Sequence, residues 1–380
     1  MADGTKIEWA DATVNAINGC SVVSPGCTNC YAMRLAGTRL RNHPSRAGLT
    51  VPSKAGPVWN GTVRLSESAL VQPLRWRRPR VIFWNAHGDP FHPAVPFAWV
   101  DRMFAVSALS PHHKHLVLTK RPERMRAYFA DGSWAQRVNA IINDWPEAKI
   151  GTGNEYIGDL WLMKRGAIKN VWLGTSAEDQ PRLDERIDHL INTPRAFGRY
   201  LSLEPLLGPI ILPRVDFHCD LCGGTGMLAR WPRGRCHDCG GRGHIPAIST
   251  DPKYGTPSVP MRWINGVIVG GESGHGARPK HPDWSRSLRD QCAAAGVDFH
   301  FKQWGEWAPC RVDETGDGDF IAWSGDGRVP PQRFGSKQYA TAEGQWMARV
   351  GKSAAGRLLD GVTHDALPWR VSTSLDTNGG

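Results

Sequence analysis

The sequence contains no apolar run approaching the ~18 residues a helix needs to cross a bilayer. Its first residues, MADGTKIEWAD, are polar and lack the charged-then-apolar layout of a signal peptide. These absences set aside helical membrane proteins and predict a cytoplasmic chain with no membrane partner. There is no P-loop and no HExxH pattern, so neither a Walker phosphate cradle nor metalloprotease chemistry has its sequence mark. Internal repeats are wanting too, apart from one pair of short cysteine turns.

What is present is an ordinary globular composition, with 41% hydrophobic and 22% charged residues. The 380 residues exceed a usual single domain, but an α/β barrel alone reaches about 250, so one large core with insertions accommodates them. A formal charge of +10 favours an anionic partner, nucleic acid or nucleotide among them. Basic residues gather in RWRRPR (75–80) and KRPERMR (120–126), runs that are either phosphate contacts or solvated surface.

Short β-branched or apolar runs ending in polar clusters recur along the chain. They are RVIFWNAHGD (80–89), KHLVLTKRP (114–122), NVWLGTSAED (170–179), RYLSLEPLLG (199–208), GVIVGGESG (266–274) and VDFHFKQWG (297–305). Between them FAWVDRMFAVSAL, ERMRAYFA, RLDERIDHLI and WSRSLRDQCAAAG read as helices. This alternation predicts a parallel sheet covered by helices, closed as a full or partial (β/α) barrel or, alternatively, open and doubly wound. In both, reacting groups collect at the carboxyl ends of the strands. Those ends carry Asn85, His87 and Asp89; Thr119, Lys120 and Arg121; Thr175, Ser176 and Glu178; Glu204; Glu272 and Ser273; Lys302 and Gln303.

Two segments break the alternation. The expected organisation is a core of residues 1–214 and 247–310, an inserted module at 215–246, and a carboxyl-terminal appendage at 311–380 ending in a disordered tail, STSLDTNGG.

Nine cysteines in a reducing compartment argue for metal or redox use rather than disulfides. Four stand in CDLCGGTG and CHDCGGRG, two C-x-x-C-x-G-x-G turns with thirteen residues between Cys222 and Cys236. Cys219, Cys222, Cys236 and Cys239 thereby form a sulfur cage suited to structural Zn²⁺, the glycines letting backbone amides turn toward the sulfurs. The turns resemble the cysteine-rich zinc repeats of the DnaJ co-chaperone family, a likeness that implies the metal and not the chaperone role. Arg230, Arg233, Arg235 and Arg242 make nucleic acid a candidate ligand of this zinc knuckle.

Cys20, Cys27 and Cys30 fall within NGCSVVSPGCTNCYAMR, with no fourth cysteine near. Three close thiols suit an iron–sulfur cluster that leaves one iron open, whereas a closed zinc site wants four ligands. Iron–sulfur and zinc both stay open for this loop on the residues alone.

The loop resembles that of radical S-adenosylmethionine (radical SAM) enzymes. In those, three cysteines after the first barrel strand hold a [4Fe–4S] cluster whose open iron binds S-adenosyl-L-methionine, and reduction yields a 5′-deoxyadenosyl radical. The superfamily spacing is C-x3-C-x2-C; here it is C-x6-C-x2-C, the Pro-Gly turn of SVVSPG taking up the longer gap. Tyr31 follows the last cysteine, where the superfamily has its aromatic before it.

Over residues 5–307 the chain further resembles a phage and prophage three-cysteine family of unknown function placed near those enzymes. The likeness rests on TKIEWADATVNAINGCSVVSPGCTNCYA, HLVLTKRPERM, VWLGTSAEDQ, LSLEPLLGPI, VIVGGESGHGARP and FKQWGEW. It implies a radical SAM-type barrel, a [4Fe–4S] cluster on Cys20, Cys27 and Cys30, S-adenosyl-L-methionine, and an electron donor. GGES, with Gly270, Gly271 and Glu272, looks like the superfamily run that contacts the cofactor's amino group. By strand position, Asn85 and Asp89 compete for that role, and Glu204 or Thr175 and Ser176 suit the ribose and carboxylate. Lys120, Glu204 and Lys302 would then hold substrate or move protons.

Three functional readings are open to the sequence. The first is a radical SAM-like enzyme acting on a nucleic acid or nucleotide. The second is a non-catalytic, zinc-containing phage protein that binds nucleic acid. The third is a nucleotide hydrolase using Glu204 and Glu272 with Mg²⁺.

Overall fold

Strands β1 (Ala12–Val14), β2 (Val81–Trp84), β3 (Lys114–Thr119), β4 (Val171–Ser176), β5 (Gly198–Leu203), β6 (Gly266–Gly270) and β7 (Asp298–Gln303) lie side by side in chain order, every neighbouring pair parallel. The computed structural model describes residues 4–370 except 6, 131, 145–167, 195–197, 312–318, 324–330 and 335–343; between 213 and 263, and at 332–334, it describes only the backbone of short strands. Strands that succeed one another without a reversal keep all their right-handed crossovers on one face. Helices therefore cover one side, and the sheet curls about the other as a half-barrel. The expected barrel is thus a partial one. A doubly wound sheet is excluded, because it needs a switch point in strand order.

The longer helices among the described residues are α1 (Tyr31–Gly37), α2 (Phe97–Leu109), α3 (Pro122–Ala130), α4 (Trp134–Asp144), α5 (Gln180–Ile191) and α6 (Pro282–Ala295). α5 shows why such segments form. Asp179 caps it by accepting the Arg182 amide at 2.9 Å, a proline occupies the first turn, and Leu183, Ile187, Leu190 and Ile191 share the buried face.

Alternation along each strand separates two cores. In β6, Val267 and Val269 pack with the helices while Ile268 packs on the concave side; β5 divides Leu201 and Leu203 from Tyr200 in the same way. The concave floor is filled by Trp9, Phe83, Tyr200 and Trp369, with ring centroids 4.6–6.4 Å apart. Apolar filling near the strands' amino ends leaves their polar carboxyl ends to form the mouth.

Trp369 belongs to the region expected to be an appendage. Its indole donates to the Trp9 carbonyl at 3.2 Å, and Leu359 and Leu367 are buried as well. The chain after β7 first builds an antiparallel sheet from Trp307–Cys310, Gln345–Arg349, Phe320–Trp323 and Gln332–Phe334. It then returns to close the floor.

Between β5 and β6, Asp216–His218 pairs antiparallel with His244–Pro246, and Met227–Leu228 with Gly234–Arg235. The backbone thus enters and leaves the insertion side by side. Cys219, Cys222, Cys236 and Cys239, with the zinc site expected on them, lie outside the described residues, as does the tail from 371. Among the described residues no helix is long and apolar enough to cross a membrane.

Candidate functional site

The cysteine loop leaves β1 and crosses the mouth of the half-barrel. It makes a short 3₁₀ turn at Pro25–Cys27 and enters α1 at Cys30, whose amide donates to the Cys27 carbonyl at 3.3 Å. Two carboxylates from distant strand ends grip it.

Glu178, beyond β4, is one of them. Its Oε1 accepts the Gly26 amide at 2.9 Å, and its Oε2 accepts Lys120 Nζ at 3.0 Å and Arg186 Nη1 at 3.3 Å. Burial alone would raise its pKa, but Lys120, Ser24 and the Gly26 amide outweigh that and bring it down to about 2. A Cβ at Gly26 would sit 3.0 Å from Lys120 Nζ and 3.1 Å from the Glu178 carboxyl carbon, so any larger residue would have to push this ion pair aside by a few tenths of an ångström.

Glu272, beyond β6, is the other. It accepts Arg278 Nη2 at 2.6 Å on one oxygen; on the other it accepts Arg278 Nε at 2.8 Å, the Arg278 amide at 2.8 Å and Asn29 Nδ2 at 3.0 Å. Arg278 reaches on to the Pro25 carbonyl at 3.0 Å, and Asn29 also donates to the Gly276 carbonyl at 2.9 Å. Burial opposes ionisation of Glu272, yet these donors, Arg278 foremost, hold its pKa below the usual carboxylate range. The GGES run therefore grips Asn29, the residue before Cys30.

Asp89 is buried and takes four donors. Thr119 Oγ1 and the Phe91 amide meet one oxygen at 2.7 and 2.9 Å; Arg121 Nη1 and the Lys120 amide meet the other at 2.8 and 3.1 Å. Arg121, so oriented, donates to the Ser21 carbonyl and hydroxyl at 3.1 and 2.9 Å and to Cys20 Sγ at 3.6 Å. Asp89 thus acts on the cysteine loop through Arg121.

At the far side of the mouth, Lys302 Nζ lies 2.7 and 2.9 Å from the two oxygens of Glu204. These residues flank β6, where Gly270 carries no side chain; a Cβ there would fall 2.9 Å from the Glu204 carboxyl carbon. Lys120 and the Glu204–Lys302 pair are the partly exposed members of the expected set. Asn85 and Thr175 turn elsewhere. Asn85, at a left-handed φ of 59°, accepts the Ile17 amide at 2.8 Å, and Thr175 donates to the Thr119 carbonyl at 2.9 Å. Ser176 is buried, its carbonyl accepting Arg186 at 2.8 Å.

The three thiols are free and half-buried. N–H groups of Met33, Ala32 and the Trp59 indole point at the Cys30 sulfur, and Arg121 points at that of Cys20. Burial nonetheless pushes both thiols up, Cys20 to about 12 with Asp89 adding to the effect. Among the described residues no three of His, Cys, Asp or Glu are drawn together closely enough to hold a metal ion. The donor set still suits a thiophilic group: three reduced thiols on one glycine- and proline-containing loop, two of them met by N–H donors of the kind that stabilise anionic sulfur.

Across residues 4–368, loop, clamps and half-barrel together, the chain matches the model of a family described as a protein of unknown function, DUF5131. It belongs to that family. No curated protein and no solved structure matches the chain. For this DUF5131 member the mouth is therefore the place from which function must be read.

Arg121, Glu178, Asn29 and Arg278 make the principal contacts to the loop; the first two were expected at strand ends without an assigned role, and the last two were not expected at all. Arg121 and Glu178 do stand at strand ends, where sequence position alone singles them out. Asn29 and Arg278 carry no such signal, because Asn29 and its partner Glu272 are 243 residues apart.

Proposed function

We propose that this DUF5131 protein is an iron–sulfur enzyme of the radical SAM kind that acts on a nucleic acid or nucleotide. The observation that carries the reading is a clamped three-thiol loop set over the carboxyl ends of a parallel half-barrel, the edge at which α/β enzymes gather their reacting groups. Cys20, Cys27 and Cys30 would be the ligands of a [4Fe–4S] cluster, leaving one iron for S-adenosyl-L-methionine. Bound there, the pair would supply one-electron chemistry for hydrogen abstraction, driven by an external electron donor.

The protein's own residues have separate tasks in this reading. Glu178 and Glu272 with Arg278 fix the loop from two sides, and Asp89 aims Arg121 at Cys20. Glu204 and Lys302 form the accessible acid–base pair of the mouth, suited to moving a proton or orienting an anionic substrate. Zinc on Cys219, Cys222, Cys236 and Cys239 would be structural. The likeness to phage proteins fits a nucleic-acid-altering enzyme working in a host cytoplasm.

Anaerobic reconstitution tests the reading. Iron, sulfide and a broad visible absorbance band should be present, should vanish when Cys20, Cys27 and Cys30 are changed to alanine, and should accompany 5′-deoxyadenosine formation under reduction. Zinc without iron in the reconstituted protein would sink it in favour of a colourless binding protein.

A further inference from the structure

Between Asp11 and Glu67 the sequence has no acidic residue and six basic ones, Arg34, Arg39, Arg41, Arg46, Lys54 and Arg64. At the average of the chain, a stretch of that length would hold about five acids. The stretch is also a structural unit. It contains β1, the cysteine loop, α1 and the hairpin of Thr50–Val51 with Val58–Trp59, and Arg64–Leu65 returns to pair with Ile17–Asn18. The hairpin packs on the end of α1, where a Cβ on Gly37 would meet Pro57. The element bearing all three cysteines is therefore a cap of one charge sign.

Its cations divide by environment. Arg46 is buried against His87 at 3.0 Å, and Arg64 donates to the Pro44 carbonyl at 2.7 Å. Arg34 is exposed and touches the His275 carbonyl at 3.2 Å. Arg39 and Arg41, just past α1, and Lys54, at the hairpin tip, are exposed. Among the described residues their side chains make no ion pair or hydrogen bond. Exposed charge left unneutralised in this way is suited to phosphates, which guanidinium groups bind in two-pronged fashion. Tyr31, 53% exposed at the first turn of α1, adds an aromatic face beside Cys30 on which a base can stack.

We infer that the cap binds the backbone of a nucleic-acid strand, so that the substrate is a polymer rather than a free nucleotide. The seven residues of α1 set the turn that bears Arg39 and Arg41 ~10 Å beyond Cys30, which places phosphates held there and a base held at the mouth on different nucleotides of one strand. The link from this surface to chemistry rests on the iron–sulfur reading; the binding itself rests on charge. Tyr31 also anchors α1, its hydroxyl donating to the Ala86 carbonyl at 2.9 Å and its ring meeting His87 edge-on, but an acidic protein partner would make no use of the ring face left exposed.

The test is fluorescence anisotropy of the full chain with a labelled single-stranded oligonucleotide across a salt series. The triple variant R39E/R41E/K54E removes side chains with no partner among the described residues, and R75E/R77E/R78E, on the exposed run before β2, makes the same change of charge elsewhere. The cap variant should bind at least tenfold more weakly than the control variant and flatten the slope of log affinity against log salt by about 2. Unchanged binding, equal weakening in both variants, or polyglutamate competing as well as unlabelled oligonucleotide would each overturn the inference. Iron content separates the two readings. An iron-free protein that binds through the cap fails only as a cluster enzyme, and an iron-containing protein whose cap variant binds fully fails only as a polymer binder.

Discussion

Lys302 and Glu204 meet at 2.7 Å across a strand that neither belongs to. β6 runs between them, and the pair closes because Gly270 offers nothing in its path. Gly270→Ala should therefore act on the pair rather than on the sheet. In a double-mutant cycle with Glu204→Ala, measured by urea unfolding, the two changes should couple by about 0.5 kcal/mol or more; strict additivity would mean that the glycine serves some other purpose.

Glu178 supplies a pH signature. Its pKa of about 2, against an ordinary 4.5, means that its contribution to stability is full above pH 4.5 and is lost as the pH falls through 2. Glu178→Gln should cost about 3 kcal/mol near neutrality, as for one partner removed from a buried pair. The gap to the parent protein should close within that acid window. Unfolding curves at stepped pH check this, and a gap that stays constant down to the lower limit would contradict it.

The grip of Glu272 on Asn29 predicts a local effect. Glu272→Ala should speed maleimide labelling of Cys27 and Cys30 and lower iron retention by about 10–100-fold, the usual cost of losing a support behind a ligand. Labelling rates equal to those of the parent protein would show that Arg278 and Glu178 hold the loop without it.

Asp89 is an anchor. Asp89→Ala leaves Arg121, whose side chain is 5% exposed, without its counter-charge, and should cost about 3–5 kcal/mol of stability. Any loss of cofactor binding should appear together with that loss of stability. A variant as stable as the parent but unable to bind cofactor would return Asp89 to direct contact.

How much was legible in advance differs from element to element. The runs RVIFWNAHGD, KHLVLTKRP, NVWLGTSAED, RYLSLEPLLG, GVIVGGESG and VDFHFKQWG contain β2 through β7, since apolar strands with polar ends leave a local pattern. The same pattern placed Lys120, Glu204 and Lys302 at the mouth. It was silent on the return of Leu367 and Trp369 to the floor, because a segment rich in loops carries no period to read.

The sequence by itself determined the parallel α/β class, the polar edge and the gathering of three thiols into one loop, all of which follow from neighbours along the chain. Tertiary structure alone decided that the sheet stops at half a barrel, that Glu272 holds the cysteine loop, and that Asp89 works through Arg121. Those outcomes depend on which charges meet after folding. A carboxylate brought out of water must take whatever donors surround it, and here they come from up to 243 residues away.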